Sequence, residues 1–187
     1  MASHGHVDHS GENKRVALLI AILALCLALA ETGAKGAQTE ALSRNVEASN
    51  LWAFFQARSI RQTTVRTAAE GAAIGLAAVD EDRRAATTRQ IEAWQAAAQR
   101  WESEPATGEG RRELAERAKA AERVRDRSMA AYHMYEYGSA IFQVAIVIAS
   151  ASIVTGVPLL ALGGAILGVI GIALAGLGFF APELIHL

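Results

Sequence analysis

Apolar residues along this chain follow two patterns. In two places they run unbroken; between those places they recur in steps of three and four. The longest run is GSAIFQVAIVIASASIVTGVPLLALGGAILGVIGIALAGLGFF, residues 138–180, which holds no Asp, Glu, Lys, Arg or His in 43 positions. Two membrane-crossing helices of about 20 residues each fit that length. Gly156-Val157-Pro158 is the turn signal between them. Spans are therefore expected at 138–156 and 158–181, with a short tail at 182–187.

The second run, VALLIAILALCLALA at 16–30, follows Lys14-Arg15 and stops at Glu31. Its basic flank, apolar core and Ala28-Leu29-Ala30 also describe a cleavable leader. The stretch before it is long for a leader and contains Asp8 and Glu12, so we read it as a retained anchor. A core of this size covers only about 22 Å at the helical rise. Snorkelling of Lys14 and Arg15, and extension through Thr32-Gly33-Ala34, bring the span to 14–36. Residues 1–13 are polar and are expected to be disordered. Their His4, His6 and His9 can hold Zn²⁺ or Ni²⁺ loosely, but a loose tract supplies no fixed geometry, and we expect a solvated tail without a metal site.

Between the apolar runs, residues 37–137 form a charged helical region with three segments. The first, 37–79, lacks proline and can continue the first span into water as one helix; it steps through Leu42, Val46, Ser49, Ala53, Ala57 and Ile60, then Val65, Ala69, Ala72, Leu76 and Val79. These steps predict one packed helical face. Asp80-Glu81-Asp82 marks a new helix start, because acids suit the positive end of a helix dipole. The second segment, 82–102, carries Thr87, Ile91, Trp94, Ala98 and Trp101 on one face. ESEPATGEG reads as a loop, and the third segment runs from 111 to 137 and on toward the second span. The predicted fold is all-α: three transmembrane helices with a protruding, long-helix, coiled-coil-like domain.

Composition sharpens this. Proline occurs only at 105, 158 and 182 and alanine is abundant, which favours helix throughout. The chain is 52% hydrophobic with a mean hydropathy of +0.21, yet residues 31–137 carry 16 Lys/Arg and 16 Asp/Glu. A balanced surface argues against nucleic acid. The single cysteine, Cys26, excludes an internal disulfide and a cysteine metal site.

Candidate side chains are few. Trp52, Phe54 and Phe55, with Trp94 and Trp101, are either core aromatics or a partner patch, and core is the plainer reading. Tyr132, Tyr135 and Tyr137 precede the apolar hairpin as an interfacial belt would. His133 and Glu136 are too few for a metal site. Small residues stripe both hairpin helices: Ala145, Ala149, Ser152 and Gly156 on one; Ala161, Gly164, Gly168, Gly171, Ala175 and Gly178 on the other. Such stripes let backbones approach where lipid gives no hydrophobic drive, within the hairpin, against the first span, or between copies. Gln143 is the one strongly polar side chain of the hairpin, suited to an interhelix hydrogen bond or a pore lining. No nucleophile, acid pair or phosphate loop stands out, and neither catalysis nor a cofactor is expected. Lys14-Arg15 favours the N-terminus in the cytoplasm and the helical domain outside; Arg123, Arg125 and Arg127 point the other way but flank a long domain, which crosses with little regard to charge.

The segments ASNLWAFFQARSIRQ (48–62), YEYGSAIFQVAIVIASASIVTG (135–156) and GGAILGVIGIALAGLGFF (163–180) together resemble an uncharacterised family of short bacterial inner-membrane proteins, a domain of unknown function. Its pattern is a His-rich tail, one N-terminal span, a charged helical region and a C-terminal hairpin. The resemblance covers nearly the whole chain and implies a retained first span and a bacterial inner-membrane location, but no activity and no site residues. The expectation is a non-enzymatic membrane protein, a homo-oligomeric scaffold or an accessory subunit of a larger complex. An oligomeric channel is the alternative, and an envelope sensor using the aromatic patch a weaker one.

Overall fold

A computed structural model of the chain describes residues 9–184, and its regular elements are all helical. They are α1 (His9–Gly75), α2 (Glu81–Glu102), α3 (Arg111–Thr155) and α4 (Pro158–Phe180), with 3₁₀ turns at Leu76–Ala78 and Pro182–Leu184. Three helices, α1, α3 and α4, are long and apolar enough to cross a membrane.

The helices run on as the lack of breakers predicts: the first span continues into the 37–79 segment as α1, and the 111–137 segment continues into the second span as α3. Neither junction carries a proline, and the glycines at 33 and 36 keep ordinary negative φ. A glycine weakens a helix by about 1 kcal/mol, too little to end one held by packing on both sides. Residues 9–13, placed in the disordered tail, belong to α1, while His4 and His6 lie outside the described residues. The last α-helical turn of the first segment ends at Gly75 rather than at 79, giving way to the 3₁₀ turn. Helix α2 opens on Glu81 and Asp82 as the charge rule predicts. The tail begins with the Pro182–Leu184 turn, and its remainder lies outside the described residues.

The chain divides into two compact units, one of residues up to Leu42 with Arg125 onward, the other Ser43–Val124. In the first unit, Leu23, Ala30, Phe142 and Ala145 form a buried cluster with Cys26, Leu27, Tyr135, Leu167 and Ala175 around it. Glycines let α4 lie close: a Cβ on Gly164 would sit 2.9 Å from the Ala145 carbonyl oxygen, and one on Gly171 would sit 2.8 Å from the Phe142 ring. Outward positions are bulky and bare, with Leu25 61%, Val147 67% and Val169 67% exposed.

In the second unit, Leu51, Leu114 and Ala118 are buried with Trp52 and Phe55 against them. The buried stripe of α1 here is Ala48, Leu51, Gln62 and Ala69, with Phe55 partly buried. Ala48, Phe55, Gln62 and Ala69 stand seven residues apart. This corrects the sequence reading over its first half. Leu42, Val46, Ser49, Ala53, Ala57 and Ile60 are all exposed, whereas Val65, Ala69, Ala72, Leu76 and Val79 are partly or fully buried. The helix carries two stripes with the same stepping, and stepping alone does not say which one a neighbour covers. The covered one holds the ring of Phe55 and the amide of Gln62, which have partners on other helices.

Candidate functional site

The densest chemistry lies in the second unit, where α1, α2 and the start of α3 meet around Gln62. Gln62 is 2% exposed in an otherwise apolar and small-residue stripe. A buried amide needs partners, and each of its atoms has them. Its Nε2 donates to the Ala98 carbonyl oxygen and to Glu102 Oε2, both at 2.9 Å. Its Oε1 accepts from Arg111, whose Nη1 also donates to Glu102 Oε2 at 2.9 Å. The Arg111 guanidinium lies over the Phe55 ring, 5.0 Å from its centroid. The hydrogen bond from Gln62, aided by the positive charge of Arg111, holds the Glu102 carboxyl below the usual carboxylate range.

Two further links surround this knot. Trp52 Nε1 donates to Glu122 Oε1 at 2.9 Å, and its ring meets Phe55 edge-on at 5.4 Å. Arg58 Nη2 donates to Glu109 Oε2 at 2.6 Å while its guanidinium lies 5.3 Å from the Phe54 ring centroid. Between α2 and α3, Glu113 accepts from the Ser103 hydroxyl and from the Glu104 backbone N–H, which keeps its carboxyl low as well. Gly110 is required there, because a Cβ would collide with backbone atoms of Ser103 and Glu104. The arrangement joins three helices, and its ion pairs engage one nitrogen of each arginine, while Arg58 Nε and Arg111 Nε are buried without a hydrogen-bond partner among the described residues. Its hydrogen bonds and ion pairs tie α1, α2 and the start of α3 to one another, as a clasp does.

The sequence-predicted residues divide accordingly. Trp52 and Phe55 pack inward, Phe54 is 38% exposed, and Trp94 and Trp101 are partly buried on α2. Tyr135 lies against Gly33, whose position leaves no room for a side chain beneath the ring. The Tyr132 hydroxyl donates to Glu136 at 3.3 Å, and Tyr137 is 44% exposed. His133 Nδ1 stands 3.6 Å from Glu136 Oε2, and among the described residues no three His, Cys, Asp or Glu converge to hold a metal. Ala145, Ala149, Ser152, Gly164, Gly168, Gly171 and Gly178 are buried inside the first unit, and Ala175 is partly buried. Gly168 faces Leu23, so the α4 stripe serves the first apolar helix as well as the hairpin. Ser152 and Gly156 build the hairpin tip: the Ser152 hydroxyl donates to the Val157 carbonyl at 3.0 Å, and Gly156 has φ +69°. Gln143 is exposed on the outer side of α3. A groove of about 570 Å³ runs along this unit beside Cys26, Gly33, Tyr135, Phe142, Ala175 and Phe179.

Gln62, Arg111 and Glu102 escaped the sequence reading. Their signal was present in the seven-residue spacing of Ala48, Phe55, Gln62 and Ala69, where one amide interrupts an apolar series.

The arrangement can be set beside known proteins. Residues 12–181 match the profile of DUF4337, described as a domain of unknown function. The chain belongs to the DUF4337 family. That match takes in all four helices of the DUF4337 chain except the first residues of α1. No curated protein and no solved structure matches it.

Proposed function

We propose that this DUF4337 protein is a non-enzymatic integral membrane protein, a homo-oligomeric scaffold or an accessory subunit of a larger membrane complex. Its reading places it in a bacterial inner membrane with three spans, the N-terminus cytoplasmic and the helical region periplasmic. The observation that carries it is the surface of the first unit, where many Leu, Val and Ile side chains are exposed while Gly164, Gly168, Gly171, Ala145 and Ala149 pack inside beside Leu23 and Phe142. Such a surface suits lipid, where close backbone approach holds helices together. The charged unit, by contrast, closes on a clasp whose hydrogen bonds run from helix to helix, which supports a structural role.

Gln143 favours assembly between copies. An amide on the outer side of an apolar helix is costly in hydrocarbon and finds its partner on another chain. The same position keeps the channel as the second reading, with Gln143 lining a conduit between copies. Light scattering of the detergent-purified protein, with detergent subtracted, tests the first reading: a defined multiple of 19.8 kDa is expected for a homo-oligomer. A monomer that also cross-links to no other protein in native membranes would overturn it. Solute flux in reconstituted vesicles, lost on Gln143→Leu, would favour the channel.

A further inference from the structure

We infer that the first unit holds one phospholipid with a primary-amine headgroup, its acyl chain in the groove beside Tyr135 and its headgroup between Arg127 and Glu183. The groove, of about 570 Å³, is lined by Cys26 and Gly33 of α1, Tyr135 of α3, and Ile172, Gly176 and Phe179 of α4. A second hollow, of about 350 Å³, lies at the end of α4, where Arg127 stands beside Phe180 and the Pro182–Leu184 turn. Phe179 belongs to the groove and Phe180 to the hollow, and their rings meet edge-on at 4.9 Å. That ring pair is the border between the two spaces.

Length and polarity identify the class of occupant. From Cys26 to Gly33, and from Ile172 to Phe179, the groove is about 10 Å long at the helical rise. One leaflet of hydrocarbon is about 15 Å thick, half of the membrane core. The groove therefore lies within a single leaflet, the one in which α4 ends. Its walls carry no charge. Beyond Phe180 the walls carry one cation and one anion, Arg127 and Glu183, both exposed. An apolar depth followed by a charged mouth is the order of tail and headgroup in a phospholipid. This assignment rests on the membrane reading proposed above.

Charge narrows the class to one headgroup. The planar guanidinium of Arg127 suits a phosphate, to which it can offer two parallel donors. Glu183 suits a cation on the same headgroup. A primary ammonium, like that of lysine, brings donors to a carboxylate. A choline brings a cation without donors, and a glycerol headgroup leaves the lipid anionic, so that Glu183 faces a like charge. Among the described residues no ion pair joins Arg127 to Glu183, so neither neutralises the other.

Native mass spectrometry of the detergent-purified full chain tests this, with phosphatidylethanolamine, phosphatidylcholine and phosphatidylglycerol of identical acyl chains added in turn. One phosphatidylethanolamine per chain is expected to persist, several-fold above either other lipid. A Cβ on Gly176 meets nothing within 4 Å among the described residues, so Gly176→Leu fills the groove and should cut that adduct several-fold. Gly163→Leu, outside the groove, should not. Glu183→Gln should abolish the preference for the amine, and Arg127→Gln should weaken all three adducts; both sites are exposed, so neither threatens folding. Equal retention of the three lipids, unmoved by these variants, would mean ordinary boundary lipid and would overturn the proposal. Loss of oligomeric mass in Gly176→Leu with the adduct unchanged would give the groove to a second copy and overturn it too. No lipid retained, by a chain that still resists alkaline extraction from membranes, would overturn this site and leave the membrane reading intact. A chain released by alkali would remove both.

Discussion

Adjacent glycines in α4 offer a controlled measurement of how close the hairpin helices lie. A Cβ on Gly164 would sit 2.9 Å from the Ala145 carbonyl oxygen and 3.0 Å from the Ala149 Cβ. Both neighbours are fixed to the backbone of α3 and cannot swing aside. A Cβ on Gly163 would meet only the Ile148 Cγ2, at an ordinary 3.8 Å. Alanine adds the same helix-forming tendency at either site, a gain of up to about 1 kcal/mol. At Gly164 that gain is set against overpacking, which costs about 1–3 kcal/mol. Gly164→Ala should therefore be less stable than Gly163→Ala by about 1–3 kcal/mol. For a chain of this size the thermal midpoints should separate by about 2–10 °C. Far-UV circular dichroism during heating in a mild detergent reads the difference, and titration with a denaturing detergent provides an independent order. Coincident midpoints, or a more stable Gly164→Ala, would refute the close approach on which the packing of the first unit rests.

Further outcomes follow from the second unit and the hairpin tip. Gln62→Leu strips partners from Arg111, Glu102 and the Ala98 carbonyl, and should cost about 1–3 kcal/mol in unfolding free energy. Chemical denaturation of the purified protein measures it; a loss no larger than that of an exposed control such as Gln56→Leu would contradict the clasp. Glu102 is held below its usual value of 4.5, so its contribution is complete above that pH and fades as pH falls through the depressed value. Unfolding of the second unit should thus become easier in that acid window, and less steeply so in Glu102→Gln; equal slopes in a pH series of melts would count against it. Gly156→Ala forces a side chain onto a backbone with φ +69° and should destabilise the hairpin by about 1 kcal/mol or more, read by the same melts.

Much of the architecture was legible because it depends on composition over long windows. Forty-three residues without a charge leave few alternatives to apolar helices, and Gly156-Val157-Pro158 sits where the structure turns. The continuity of α1 and α3 through the changes in polarity near residues 36 and 137 was legible as well, since no breaker stands at either. One feature was not. The packed side of α1 was misread because Val46, Ala53 and Ile60 step as regularly as Ala48, Phe55 and Gln62. A polar residue in the second series was the distinguishing mark, since a buried amide announces a partner elsewhere in the chain. The stripes of small residues were visible as close-packing surfaces, but not that Leu23 of α1 would lie against Gly168.

Continuity of α1 also has a consequence during synthesis. Helix formation takes about a microsecond, so α1 can coil as soon as it leaves the ribosome. Leu51 must nonetheless wait for Leu114 and Ala118, about 63 residues later in the chain. At about 5–20 residues per second that interval lasts about 3–13 s. Throughout it, Leu51 and Phe55 on one side and Val46 and Ile60 on the other are uncovered together. An apolar helix side left uncovered for seconds is open to wrong pairing, so this interval is when the growing chain is most exposed to aggregation.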